Sequence, residues 1–175
     1  MAEFPPVLMT ERLSLDRAHI VDAADVFEYA SDPEVSKYMT FPTAKTLDDV
    51  VPFLTSIQEP MDFNREFHWG IRLDNAPKLI GIVSMTRFHG LEIGYCLHRE
   101  FWGNGYVPEA VIGLIQWAMR NEPLQRIWAS CDVDNENSAK TLKKVGMTEE
   151  GVLRRWALHP NVSDAPRDNR VFSLP

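Results

Sequence analysis

Cysteine is scarce in this chain of 175 residues, which has two, Cys96 and Cys131. Two thiols are too few for a disulfide framework, and both fall in strand-like runs. They read as buried free thiols in a reducing compartment. Long apolar runs are missing too. No stretch approaches the roughly 20 residues of a membrane-spanning helix, and the first residues lack a charged, apolar, small-residue leader pattern. A cytoplasmic protein with no membrane partner is therefore expected. Basic charge is in deficit, with 18 Lys and Arg against 25 Asp and Glu and a formal net charge of −7. That balance, with no basic stripe, argues against nucleic acid as a partner and suits a cationic one such as an amine. His19, His68, His89, His98 and His159 show no metal-ligand spacing, so no metal is expected.

What is present is an ordinary globular composition, 45% apolar, at a length that fits one domain over residues 1–175. One stretch stands out. His98-Arg-Glu-Phe-Trp-Gly-Asn-Gly-Tyr-Val-Pro-Glu-Ala-Val111 follows the strand-like run Leu91–Leu97. Gly103 and Gly105 permit backbone angles that a Cβ resists, so successive N–H groups can point into one concavity. Pro108 fits the first turn of a helix, and Ala110, Val111, Leu114, Ile115 and Ala118 continue it at helical spacing. A helix start adds unpaired N–H groups and a positive dipole end, which suits a phosphate or pyrophosphate. Gly-x-Gly alone is equally compatible with a turn that only packs strand on helix. No third glycine follows to make a dinucleotide fingerprint, and no Gly-Lys-Ser/Thr makes a triphosphate loop.

In chain order, Arg12–Asp16 alternates as a strand, and Ile20–Ala30 has helical spacing closed by Asp32-Pro33. A second short helix is expected within Thr46–Ile57, with Tyr38, Met39, Phe41 and Pro42 in the connection. Phe67–Leu73, Leu79–Phe88 and Leu91–Leu97 read as three antiparallel strands, joined by the turns Asp74–Pro77 and His89-Gly90. Gln125–Val133 reads as a buried strand, Asn135–Val145 as a helix ended by Gly146, and Gly151–His159 and Arg170–Leu174 as the last strands. The polar loop Pro160–Asn169 separates those two. A helix between Leu91–Leu97 and Gln125–Val133 implies a parallel crossover, with a ligand at the carboxyl ends of the pair.

Glu92-Ile-Gly-Tyr-Cys-Leu97 followed by Phe101-Trp-Gly-Asn-Gly-Tyr-Val-Pro-Glu-Ala110 resembles the GNAT superfamily of acyl-coenzyme A N-acyltransferases, most closely its Rim-type branch. Asn135-Glu-Asn-Ser138 and Lys143-Lys-Val-Gly-Met147 resemble the second half of that signature, and Thr10-Glu-Arg-Leu-Ser-Leu15 its start. The resemblance implies an α/β (α+β) fold. Its sheet would be mixed and mostly antiparallel, with about six or seven strands, a central parallel crossover pair and about four flanking helices. It implies acetyl-coenzyme A as cosubstrate, an amine acceptor (a protein N-terminus or a small molecule), and a monomer or homodimer. By the same resemblance, Cys96, Leu97 and His98 would meet the pantetheine arm and thioester through their backbone. Gly103, Asn104, Gly105, Tyr106 and Val107 would hold the pyrophosphate, and Asn135 would touch the pantetheine arm.

Strand alternation puts Glu92, Gly94, Cys96 and His98 on one face, which makes Glu92 the candidate general base. A structural carboxylate paired with an arginine is the alternative. Ser138 matches the serine thought in this branch to protonate the departing thiolate, and a hydrogen bond in the first helix turn is its other reading. Many relatives place a tyrosine four residues before the glycine equivalent to Gly146, where this chain has Leu142. A coenzyme A-binding regulatory module without turnover is thus the alternative function. Trp156, before the polar loop, is the tryptophan expected nearest the acceptor.

Overall fold

The computed structural model describes residues 7–57, 66–74, 76–121 and 126–174. Eight strands form one sheet: β1 (Val7–Met9), β2 (Leu13–Arg17), β3 (Glu66–Leu73), β4 (Leu79–Arg87), β5 (Leu91–Leu97), β6 (Ile127–Asp132), β7 (Thr148–Ala157) and β8 (Arg167–Ser173). Their order is β1-β2-β3-β4-β5-β6-β8-β7. Every pairing is antiparallel except β5 with β6. The helices are α1 (Ala23–Ala30), α2 (Pro33–Ser36), α3 (Val51–Ser56), α4 (Tyr106–Asn121) and α5 (Glu136–Lys144).

The sheet has one strand more than the seven read from sequence. β1 is a three-residue edge strand, too short to show alternation. Asp32-Pro33 ends α1 as expected but also starts α2, because the Asp32 carboxylate accepts from Glu34 N–H at 2.9 Å and Pro33 occupies the first turn. Some boundaries differ. β8 begins at Arg167, so the polar loop is shorter than Pro160–Asn169. Gln125, expected to start the β6 strand, and Asn75, expected in the β3–β4 turn, lie outside the described residues.

Alternating side chains give the sheet two apolar faces. Leu91, Ile93 and Leu97 of β5 pack with Ala110, Val111, Leu114 and Ala118 of α4 and with Ala139 and Leu142 of α5. On the other face Leu79 and Ile82 pack with Val26 and Tyr29 of α1, Val35 of α2 and Leu54 of α3. The β4–β5 hairpin needs its glycine. Gly90 has φ 115, and a Cβ there would lie 2.3 Å from Arg126 O. No described helix is long and apolar enough to cross a membrane.

Candidate active site

β5 and β6 pair at Leu91↔Ile127 and Glu92↔Trp128, and among the described residues nowhere beyond. From Ile93 onward the two parallel strands diverge, so a gap opens toward their carboxyl ends. Leu91 N–H donates to Arg126 O on the β6 side, while His98 N–H donates to Ile80 O on the β4 side. With in-register pairing from Leu91 to Leu97, the N–H groups of Ile93, Tyr95 and Leu97 face the gap. Those of Cys96 and His98 face β4. Of the three backbone positions assigned to a pantetheine arm, Leu97 alone therefore turns its N–H to the gap. Trp102 Nε1 donates to Leu97 O at 2.8 Å and tucks the next turn beneath the strand end.

That turn carries the two glycines. Gly103 and Gly105 have φ 79 and 80, in the left-handed region. Glu109 N–H donates to Gly105 O at 3.1 Å, the first bond of α4. The N–H groups of Gly105, Tyr106 and Val107 precede that bond and have no carbonyl one turn back in the helix. The turn has a support that sequence reading missed. Arg12 donates to Asn104 O at 3.0 Å and to Glu109 Oε2 at 2.7 Å, and its guanidinium lies 4.7 Å from the Tyr106 ring centroid. Thr10 Oγ1 donates to Glu109 Oε1 at 2.6 Å. These contacts hold Glu109 below its usual ionisation range, against the opposing effect of its burial. The result is a concave, anion-ready backbone with a half-exposed cation at its rim. It fits a pyrophosphate.

Glu92 sits at the closed end of the gap, between Thr86 of β4 and Trp128 of β6. Burial pushes its carboxyl above the usual range, against a Ser130 hydrogen bond that lowers it, and the charge of Glu66 adds to the rise. Glu66 moves the other way, because the His68 ring bonds it at 2.9 Å. Two carboxylates on one face are thus pushed apart, which leaves Glu92 the better proton acceptor. Asn169 Nδ2 donates to Ser130 Oγ at 3.4 Å, and His159 Nε2 lies 3.0 Å from Asn169 Oδ1.

Asn135 caps α5, its Oδ1 accepting from Ser138 N–H at 3.1 Å. Its amide nitrogen remains available for a second contact. Ser138 Oγ lies 2.8 Å from Tyr95 Oη, a partner not anticipated from sequence. Leu142 is fully buried in the core. The thiols are packing groups whose burial pushes Cys96 up to about 12 and Cys131 up to about 11.

The connection that holds Tyr38–Thr43 is tied to the start of the polar loop after β7. Asn161 Nδ2 donates to Ser36 O and Phe41 O, its Oδ1 accepts from Thr43 N–H, and His159 Nδ1 lies 2.9 Å from Tyr38 O. Trp156 is half-exposed and stands 6.4 Å, ring centre to ring centre, from Phe88, which lies beside Trp128.

Residues 12–148 match the acetyltransferase (GNAT) domain family. This chain is a member of the GNAT acetyltransferase family. The uncharacterized N-acetyltransferase YoaA of Bacillus subtilis is 30% identical over 176 residues, covering 97% of this chain and 96% of that protein. The ribosomal-protein-serine acetyltransferase of Escherichia coli is 33% identical over 82 residues, 45% of this chain and 46% of its own length. The structure of the microcin C7 self-immunity acetyltransferase MccE, solved with acetyl-CoA and AMP, superposes with a TM-score of 0.80 at 25% identity, covering 93% of this chain and 92% of that one. This GNAT chain is accordingly an N-acetyltransferase, with relatives that include Rim-type enzymes.

Proposed function

We propose that this N-acetyltransferase moves an acetyl group from acetyl-coenzyme A to a primary amine by direct attack within a ternary complex. The acceptor is a protein N-terminus or a small amine. The observation that carries the reading is the β5–β6 gap, with the glycine turn at its open end and Glu92 at its closed end. The pyrophosphate falls to the backbone of residues 103–107 supported by Arg12, and the pantetheine arm to the gap-facing backbone of β5 and to Asn135. Leu97 N–H is the donor we assign to the thioester oxygen. Bound acetyl-coenzyme A supplies the activated acyl group, so no covalent enzyme intermediate is needed and positioning provides most of the acceleration.

Glu92 takes the proton of the attacking amine, directly or through one water. Its raised ionisation makes it a stronger base than an exposed carboxylate. Isothermal titration with acetyl-coenzyme A, coenzyme A and ATP tests the donor site, and thioester consumption with an amine panel tests turnover. Saturable binding of both coenzyme A species but not ATP, with amine-dependent thioester loss, is expected. Binding without turnover on any amine would leave the regulatory-module reading, and no binding would overturn the donor site.

A further inference from the structure

We infer that the acceptor is a small primary amine carrying an aromatic ring on a short tether, and that Trp156, with Trp128 and Phe88, selects that ring. The inference rests on the acetyl-transfer reading above and names its acceptor.

β7 does not run straight. Leu153 pairs with Asn169 and Ala157 with Arg167, so Arg154, Arg155 and Trp156 stand opposite Asp168 alone. Asn169 is in register with Asp132 of β6, and Val171 with Ser130. Leu153 therefore lies on the face of the sheet that carries Glu92 and Trp128. Plain alternation from Leu153 would send Trp156 to the opposite face. The bulge brings it back. Arg155 takes φ 48 there, a left-handed angle that is costly for a residue with a Cβ. Asp168 holds the bulge, accepting from Arg155 N–H at 2.8 Å and from Arg154 Nη1. A bulge also blunts an edge strand such as β7, but a polar residue serves that purpose better than a tryptophan.

Trp156 arrives at a groove of about 380 Å³, which it lines with Trp128, Leu153 and Val171. Phe88 stands 6.4 Å from Trp128 and 6.4 Å from Trp156, ring centre to ring centre. Phe88 and Trp156 remain 43% and 41% exposed, although large apolar side chains gain most by full burial. An aromatic wall left open beside a proton acceptor marks a ligand surface. At the outer end Arg126 pairs with Glu150, which also accepts from Ser173 Oγ, so the charges there cancel. At the inner end Trp128 is the register partner of Glu92, and Ser130, two residues on, bonds the Glu92 carboxyl.

A neutral ring thus fits the groove while its amine lies at Glu92. Neighbouring strands are about 4.8 Å apart. A nitrogen joined to a ring through two carbons, with bonds of about 1.5 Å, sits about 5 Å from the ring centre. That tether spans the step from Glu92 to a ring against Trp128. A peptide would need an extended trough for the residues after its N-terminus, whereas this groove has the size of a small-molecule pocket. Transfer then proceeds as proposed above. The nitrogen bonds the acetyl carbon, the C–S bond breaks with its electron pair going to sulfur, and the amine proton goes to Glu92.

The test is steady-state kinetics of the full chain with acetyl-coenzyme A and a choice of 2-phenylethylamine, butylamine or a serine-initiated tetrapeptide. A stacked ring adds affinity beyond its burial, so kcat/KM for 2-phenylethylamine should exceed that for butylamine about tenfold or more. Trp156→Ala should cut that ratio about fivefold or more, through the amine KM. Its acetyl-coenzyme A affinity, by titration calorimetry, should show the donor site intact. Arg155→Gly accepts the left-handed angle and should keep the ratio, while Arg155→Val resists it and should lose it.

A wild-type ratio near one would overturn this inference alone, and so would a Trp156→Ala protein that keeps the ratio. A kcat/KM higher for the tetrapeptide than for 2-phenylethylamine would overturn it too and give the acceptor site to a protein N-terminus. Coenzyme A binding without acetylation of any amine would overturn the transfer reading and this inference together.

Discussion

Replacing Gly103 with valine separates an anion cradle from a mere turn. Gly103 has φ 79, and a Cβ built there meets nothing within 4 Å. The cost is thus conformational and not a clash, about 1–2 kcal/mol for a residue with a Cβ and more for a β-branched one. The chain can bear that strain, which lowers stability, or rotate out of the left-handed region, which turns the following N–H groups away from the concavity. Each N–H bond to a phosphate oxygen contributes about 1.5–3 kcal/mol. Loss of one or two predicts a coenzyme A affinity at least tenfold weaker by titration calorimetry. Gly146→Val is the control. Gly146 has φ 89 with nothing within 4 Å of its Cβ position, and it follows α5 and is not part of the glycine turn. It should lower the melting temperature while affinity stays unchanged. Undiminished affinity in a folded Gly103→Val protein would refute the cradle.

Three further outcomes follow from the same geometry. Arg12→Met removes the brace on Asn104 O, so steady-state kinetics should show an acetyl-coenzyme A KM raised about five- to tenfold with kcat nearly unchanged. Arg12→Lys should restore little, because a point charge cannot hold Glu109 and Asn104 at once. Glu92→Gln should lower kcat about a hundredfold. Burial raises the Glu92 carboxyl in the fold, so the folded state binds the proton more tightly and stability falls as pH passes from the unfolded value up through the folded one. The glutamine variant should therefore melt higher than wild type at neutral pH, as calorimetry can check, and a lower melting point would contradict the burial argument. Asp132→Asn breaks the pair with Arg167, whose Nε donates to Asp132 Oδ2 at 2.6 Å. The Arg167 hydrogen bonds hold Asp132 below its usual range against its burial, so this contribution is present above the unfolded value and lost as pH falls through the folded one. A loss of about 1.5–3 kcal/mol in chemical denaturation is expected at neutral pH and less in acid.

Features set by near neighbours in the chain were legible in the sequence. The Gly-x-Gly turn, Pro108 and the apolar spacing of α4 all lie within one stretch, and each has the conformation its residue types favour. Alternation places Glu92 on its face, because period two depends on the strand alone. What escaped is long-range. Arg12 is 92 residues from Asn104, Tyr95 is 43 from Ser138, and Asn161 is 118 from Thr43. No local pattern marks such pairs, since each arises when two separately determined elements meet. The backbone direction of β5 escaped for another reason. Which N–H groups face the gap depends on the strand's pairing register, and register is a property of the neighbour.

Both walls of the gap are held from outside it. β5 is held by β4 along seven in-register positions, from Leu91 to Leu97. β6 is held on its far side by β8, from Trp128↔Ser173 to Asp132↔Asn169. Asp132, at the end of β6, caps Asp134 N–H and is clamped by Arg167 of β8. Each wall is thus fixed by a partner outside the gap, and the fully buried Asp132 resists the motion that would close it. Binding energy is then not spent on separating the strands, which favours affinity from a small set of backbone contacts. The joined loops around Tyr38–Thr43 and His159–Asn161 differ, because side-chain bonds and not a sheet set their spacing, and exchange of residues there leaves the two strands untouched.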